Sequence, residues 1–306
     1  MACKNCLNNP VIQLTNSSVK LCKSCFIKYF EKKALATIKS YKLVEKGDNI
    51  GVAVSGGKDS LTVLSILKKV RDKFTDIKLE AILIDEGIEG YRDKTIIDAR
   101  KFCDDNKIKL HIFSYKNEFG STLDNAKNKV ALKPCTICGV FRRYLLNKYS
   151  RKLGFNKLAT GHNMDDEAQS ILMNQFKNNA EVSARLGPIT GIKKDEKFIP
   201  RIKPLYLLTE KEVASYAFLK GLVTTFTECP NSFDSYRGYV RDTLNDMEAR
   251  FPGTKHGIVN SFLEMLPLLK KHYGKNASEI RTCSECGEPC TGNICQACKL
   301  AKKIIS

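Results

Sequence analysis

Residues Asn49–Ser60 read NIGVAVSGGKDS. An apolar run meets two glycines, a lysine, an aspartate and a serine with nothing between them. The run 49–54 predicts a buried strand and 59–73 an apolar-striped helix, so the glycines form the turn that joins them. Gly56 and Gly57 let backbone N–H groups come close to an anion, and the N-terminus of the following helix favours negative charge. Lys58 adds a cation, and Ser55 and Ser60 add hydroxyls. Asp59 suits either a helix-start cap or a carboxylate that holds Mg2+. This is not a Walker A loop, which needs four residues between its glycines and a hydroxyl residue directly after its lysine.

Outward from this loop, strand and helix patterns alternate. Strands are predicted at 78–84, 109–114 and 156–161, and helices at 92–106, at 139–153 and from NMDDEAQSILMNQF onward. Such alternation implies an α/β fold, a doubly wound parallel sheet with helices on both faces. Beyond residue 178 prolines flank short strands. LTEKEVASYAFLKG (208–221) predicts a helix capped by Thr209 and closed by Gly221, with further helices near 234–250 and 254–273. Residues 26–45 carry helical apolar spacing. The resulting division is a cysteine module over 1–28, a linker helix over 29–46, a catalytic domain over 47–275 and a second cysteine module over 276–306.

The chain has 306 residues, 42% of them hydrophobic, enough for one large core with smaller appendages. No apolar run reaches the ~18 residues that span a bilayer, and MACKNCLNNP holds no signal-peptide apolar region. The expectation is a soluble cytoplasmic protein with no membrane partner. The formal charge of +18 suits a polyanion partner, or simply a solvated cationic surface. Basic runs lie at 142–152 (RRYLLNKYSRK) and 270–275 (KKHYGK).

Thirteen cysteines in such a chain point to metal or redox chemistry rather than disulfides. Cys3, Cys6, Cys22 and Cys25 form two CxxC pairs, as do Cys283, Cys286, Cys295 and Cys298, with Cys290 as the spare of its set. Four thiolates at this spacing suit tetrahedral structural zinc, and both modules are too short to bury a core without such a staple. The readings are zinc ribbons or, less specifically, reduced unligated thiols. Cys135 and Cys138 form a third pair, and Cys229 stands alone in ECPNS. A three-thiolate site leaves a metal or cluster one open position, which suits chemistry. The alternatives are a buried thiol pair with an unrelated Cys229, or a zinc lacking one ligand.

SGGKDS after a buried strand resembles the PP-loop of the N-type ATP pyrophosphatases, proteins with an adenine nucleotide alpha hydrolase-like fold. The resemblance implies cleavage of ATP between its α and β phosphates, with pyrophosphate held by Ser55, Gly56, Gly57, Lys58, Asp59 and Ser60. Ala53 and Ile84 end strands at the carboxyl edge of the sheet, where open α/β folds bind ligands, and the Ile84 backbone is placed on the adenine. ATGHNMDD (159–166) resembles the second nucleotide motif of the family. Gly161 is placed near ribose or phosphate, and His162 is read as hydrogen-bonded in place. Asp165 and Asp166 favour the helix N-terminus, Asp166 also serving Mg2+ or proton transfer.

The combination of PP-loop, PCTICG, ECPNS, RIKPL (201–205), TEKEV (209–213), RGYVRDTLNDME (237–248) and a cysteine module at each end resembles the tRNA 2-thiolation enzymes of the TtuA/TtcA class over nearly the whole chain. The resemblance implies a 4Fe–4S cluster on Cys135, Cys138 and Cys229 whose remaining iron takes sulfide, and it places Arg142 on the α-phosphate. It implies adenylation of a uracil 2-oxygen in tRNA and its replacement by sulfur, supplied as sulfide or by a thiocarboxylated ubiquitin-like carrier. A homodimer is also implied. Against this sulfurtransferase stand a cluster-free persulfide relay and a zinc-containing tRNA-binding protein without catalysis.

Overall fold

The computed structural model describes residues 2–15, 17, 19–74, 76–192, 196–223, 229–231, 235–275 and 280–305. Glu228 and Ser232 of the ECPNS motif, and the expected boundary at residue 276, lie outside the described residues. In chain order the elements are β1 (Ile12–Gln13), β2 (Lys20–Leu21), α1 (Lys23–Ser40), β3 (Asn49–Ala53), α2 (Lys58–Lys73), β4 (Lys78–Asp85) and α3 (Arg92–Asp105). There follow β5 (Leu110–Ser114), α4 (Tyr115–Phe119), α5 (Leu123–Ala126), α6 (Pro134–Lys152), β6 (Lys157–Ala159), α7 (Met164–Phe176) and α8 (Ala180–Ser183). The chain then forms β7 (Arg201–Ile202), α9 (Glu210–Leu219), α10 (Tyr236–Arg250), α11 (Thr254–Lys275), β8 (Arg281–Thr282), β9 (Pro289–Cys290) and α12 (Gln296–Ile305).

The main sheet runs β5-β4-β3-β6-β7, with every neighbouring pair parallel. The chain starts in the middle at β3, builds outward through β4 and β5, then returns to the other flank of β3 with β6. The switch point therefore falls between β3 and β6, where the carboxyl ends of two neighbouring strands feed loops that diverge to opposite sides. The loop at 55–57 leaves one of these strands and ATGHN leaves the other. Ile50 and Val52 of β3, with Ala81 and Leu83 of β4, are buried against the apolar face of α2 in the largest core.

Two boundaries differ from the sequence expectation by more than two residues in ways that bear on the site. The 26–45 helix is observed at Lys23–Ser40. Lys42 then takes φ 49°, and Leu43 N donates back to the Ile38 carbonyl. Leu43 is fully buried, so its apolar signal comes from a helix-closing turn and not from another helical turn. The helix expected at 139–153 begins at Pro134, with proline in its first turn, where a missing N–H costs nothing. PCTIC is thus the first turn of α6 and not a loop before it. The helix at Glu210–Leu219 has the expected Thr209 cap, completed as a capping box by Glu212.

Candidate active site

The loop after β3 is closed on itself by its hydroxyls. Ser55 N donates to Ser60 Oγ at 3.0 Å, and Ser60 Oγ donates to the Gly57 carbonyl at 3.0 Å. Gly56 has φ 80°, and a Cβ there would lie 2.1 Å from the carbonyl oxygen of Thr95 on α3, so only glycine fits. Gly161 is also closely packed, though less tightly. A Cβ on it would sit 3.0 Å from the Asp59 backbone, which brings the β6 loop onto the start of α2. The helix cap at α2 is Gly57, with no side-chain cap bond. Asp59 is therefore not the cap that the sequence allowed. Its carboxylate accepts from Lys58 Nζ at 2.9 Å and from Asn163 Nδ2 at 3.2 Å.

Lys58 Nζ also reaches Glu210 Oε1 at 3.2 Å, on the first residue of α9. Enclosure works against its charge, but Asp59 and Glu210 outweigh that and raise its pKa. Asp166 belongs to the same acidic group. It completes the α7 capping box by accepting from Asn163 N. Its pKa is pushed up to about 6, chiefly by enclosure in the cleft, although a third of the side chain still meets solvent, and further by Asp59 and Glu210, while the Asn163 N–H and Arg237 act the other way. Asp165 is committed elsewhere: it takes the Glu210 N–H at 2.7 Å and pairs with buried Lys255. His162 shares a 2.9 Å hydrogen bond with Thr160, as expected. Its pKa is lowered by enclosure in the cleft and by the cations Lys203, Arg201, Arg237 and Arg142.

On the other side of the loop, β4 outruns β3. Their pairing ends at Ala53↔Ile82, whereas β4 stays paired with β5 as far as Asp85↔Ser114. The β3-facing backbone edge of Ile84 thus lies level with the loop. Glu86, the residue after the end of β4, is 1% exposed. It pairs with Arg92 at the start of α3 and accepts from Arg142 Nη2 at 2.6 Å. Arg142 Nη2 is also 3.1 Å from Cys138 Sγ, and the Tyr115 hydroxyl lies 3.5 Å from the same sulfur. Burial raises the Cys138 pKa, and Arg142 pulls it down. Glu86, Arg92, Tyr115, Asn163 and Glu210 were not singled out in the sequence. An acidic pair, Asp85–Glu86, directly after the apolar run of a strand was the available signal.

Cys135 is exposed and donates to the Asn231 carbonyl at 3.1 Å. Cys229 lies within electrostatic range of both Cys135 and Cys138. Among the described residues only the two terminal sets bring all their ligand atoms within 4.8 Å of one another, and the internal set is more open. A tetrahedral zinc with Zn–S of about 2.3 Å demands S···S edges near 3.8 Å. Cys6–Cys22 at 3.4 Å, Cys6–Cys25 at 3.5 Å, Cys286–Cys295 at 3.7 Å and Cys283–Cys298 at 4.0 Å match that size. Three soft donors on a wider triangle suit a larger sulfur-rich body. Cys290 donates to the Gly292 carbonyl and stays outside its quartet.

Each terminal module is a two-residue hairpin followed by a helix that starts inside the second CxxC. α1 docks on α9 through the stacked rings of Phe30 and Tyr216, 4.1 Å apart. α12 docks on α6, and two cations of the basic run 142–152 are met by acids from α4 and from the C-terminal hairpin. Lys148 pairs with Glu118 and Arg151 with Glu288, so part of its charge is neutralised within the protein. In zinc-loaded protein, Cys22→Ser is expected to lower zinc content by one site and to make residues 2–25 protease-sensitive, with the C-terminal quartet unaffected. Metal quantification with limited proteolysis checks this.

The PP-loop domain family model matches residues 28–247. The chain is 36% identical over 318 residues to the tRNA 2-thiolation protein NcsA of Haloferax volcanii, covering 99% of each. It is 38% identical over 299 residues to the tRNA-5-methyluridine(54) 2-sulfurtransferase of Pyrococcus horikoshii, covering 98% of this chain and 93% of that one. Among solved structures it resembles the U34-tRNA thiolase NcsA from Methanococcus maripaludis with its [4Fe-4S] cluster. There the TM-score is 0.82 at 32% identity, covering 99% of this chain and 96% of the other.

Proposed function

Since the chain belongs to the PP-loop domain family and matches its tRNA-thiolating members from end to end, we propose that it is an ATP-dependent tRNA-uridine 2-sulfurtransferase. The observation that carries this reading is that one sheet edge holds both the nucleotide loop and the cysteine centre, with Arg142 between them. ATP is placed with its adenine on the backbone of Ile84 and its ribose and phosphates between the loop at 55–60 and Gly161. The uracil 2-oxygen attacks the α-phosphorus, forming an O–P bond as the α–β bridging bond breaks. Lys58 and the N-terminus of α2 stabilise the departing pyrophosphate, and Arg142 the α-phosphate. Asp59 and Asp166 are the carboxylates that would hold Mg2+, their mutual repulsion being what a divalent cation relieves.

Exchange of the carbon–oxygen bond for a carbon–sulfur bond then expels AMP with the former carbonyl oxygen, and no electrons change hands. Cys135, Cys138 and Cys229 would hold a 4Fe–4S cluster, whose open iron supplies a soft site for the incoming sulfide. A target base must leave its stack to react. A cavity of about 430 Å³ beside Asn231, lined also by Ile88, Asn125 and Asn128 and by the charged Glu89, Asp124 and Lys127, has room for one. Amide side chains there match an imide edge, since each offers both donor and acceptor. Zinc at both ends, a homodimer, a cytoplasmic compartment and sulfide delivered free or by a thiocarboxylated carrier complete the proposal. No helix among the described residues is long and apolar enough to cross a membrane.

The test is anaerobic incubation of iron-reconstituted protein with tRNA, ATP and sulfide. The expected result is tRNA-dependent release of AMP and pyrophosphate, with 2-thiouridine in the digested tRNA by mass spectrometry. Fragment mapping then names the position. Equal thiolation by iron-free protein would favour the persulfide relay. Binding of tRNA without AMP release would leave only a binding protein.

The Asp166 shift sets a pH dependence. Its carboxylate is protonated below about 6 and ionised above, so a role that needs the anion grows as pH rises through that value. AMP release should show an acidic limb near 6 when Mg2+ is limiting, because proton and cation compete for Asp166, and Asp166→Asn should lower release at every pH. The sign for stability is opposite. The folded protein holds this proton more tightly than the unfolded chain, so stability falls as pH rises from 3.8 to about 6.

A further inference from the structure

Glu86 and its two arginines join the nucleotide loop to the cysteine centre by an unbroken chain of polar contacts. Arg92 Nη1 donates to the Ser55 carbonyl at 2.9 Å, and Arg92 Nη2 pairs with one oxygen of Glu86. The other oxygen accepts from Arg142 Nη2, which also touches Cys138 Sγ. The middle of this chain is fixed. Glu86 and Arg92 are 1% and 3% exposed, and the Glu86 carbonyl accepts from Leu123 N at 2.7 Å. Its outer end is accessible, with the Arg142 side chain 46% exposed. One buried carboxylate therefore faces two guanidinium groups, and the surplus positive charge points at the sulfur.

Neither arginine can move independently. A planar guanidinium holds its bonds in a rigid fork, so displacing Ser55 turns Arg92 and shifts its pairing with Glu86. A phosphate drawn to Arg142 competes with Glu86 and Cys138 for the same nitrogen. We propose that Glu86 is a positioning residue that couples nucleotide binding at the loop to the cluster bound at the cysteines, and this rests on the functional reading above. Coupling of this kind is reciprocal: if the cluster changes nucleotide affinity, nucleotide changes cluster affinity by the same factor.

The experiment measures the affinity of α,β-methylene-ATP by calorimetry in iron-free and in cluster-loaded full-length protein. In the wild type the two constants are expected to differ by about 5-fold or more, the lower end of usual couplings. In Glu86→Gln their ratio is expected to fall to within about twofold of one, below the range of usual couplings. A merely loosened fold would weaken both affinities together and leave the ratio intact. If Glu86→Gln does not fold, Arg92→Lys carries the same expectation, because an ammonium keeps the charge but cannot grip Ser55 and Glu86 at once. A wild-type ratio of one, or a ratio retained in the variant that folds, overturns the coupling. A wild type that takes up no iron overturns the functional reading beneath it.

Discussion

Lys58→Ala is expected to lower tRNA-dependent AMP release and thiolation together, by roughly 10²–10³-fold, as for loss of a pre-set donor to developing charge. Lys58 is 19% exposed and tied to Asp59 and Glu210, so its ammonium is already in place before a nucleotide arrives. No reorganisation is needed as pyrophosphate leaves. The tRNA affinity should stay within about twofold, because one cation among many contributes little to backbone binding. Filter binding and AMP quantification separate the two effects. Unchanged thiolation in this variant would remove the adenylation step from the mechanism.

Cys229→Ser is expected to abolish 2-thiouridine while AMP release persists within about tenfold. Serine offers a hard, protonated oxygen where a soft site needs thiolate. Cys229 follows α9 in the chain, whereas Cys135 and Cys138 share the first turn of α6. Its loss therefore leaves the α6 turn, Arg142 and the nucleotide loop intact. The iron content should drop with it, and zinc should not. A variant that loses zinc or AMP release in proportion would assign Cys229 a structural role.

These expectations rest on parts that were legible to different degrees. The apolar run of β3, the glycines of the loop and the strand–helix alternation are local patterns set by backbone sterics and side-chain period, so they were visible along the chain. The two cysteine quartets were visible for the same reason, since CxxC spacing alone brings two sulfurs to one ion. The helix expected at 139–153 starts at Pro134 instead. The first helical turn tolerates a proline, and the turn at Cys135–Cys138 is held by contacts from Tyr115 and Asn231, far away in sequence.

Legible along the chain were the parallel sheet, the glycine turn between β3 and α2, and the two cysteine quartets, whereas only a family resemblance joined Cys229 to Cys135 and Cys138. Tertiary structure alone decided which side chains meet. The choice of Glu210 as a partner for Lys58, of Glu86 as the hinge between Arg92 and Arg142, and of internal acids as partners for Lys148 and Arg151 has no local signature. A charge that will be buried looks the same along the chain as one that will be solvated. The distinction arises only when the sheet order β5-β4-β3-β6-β7 carries the ends of separate strands to one edge. There, low local dielectric makes each charge depend on the opposite charge beside it.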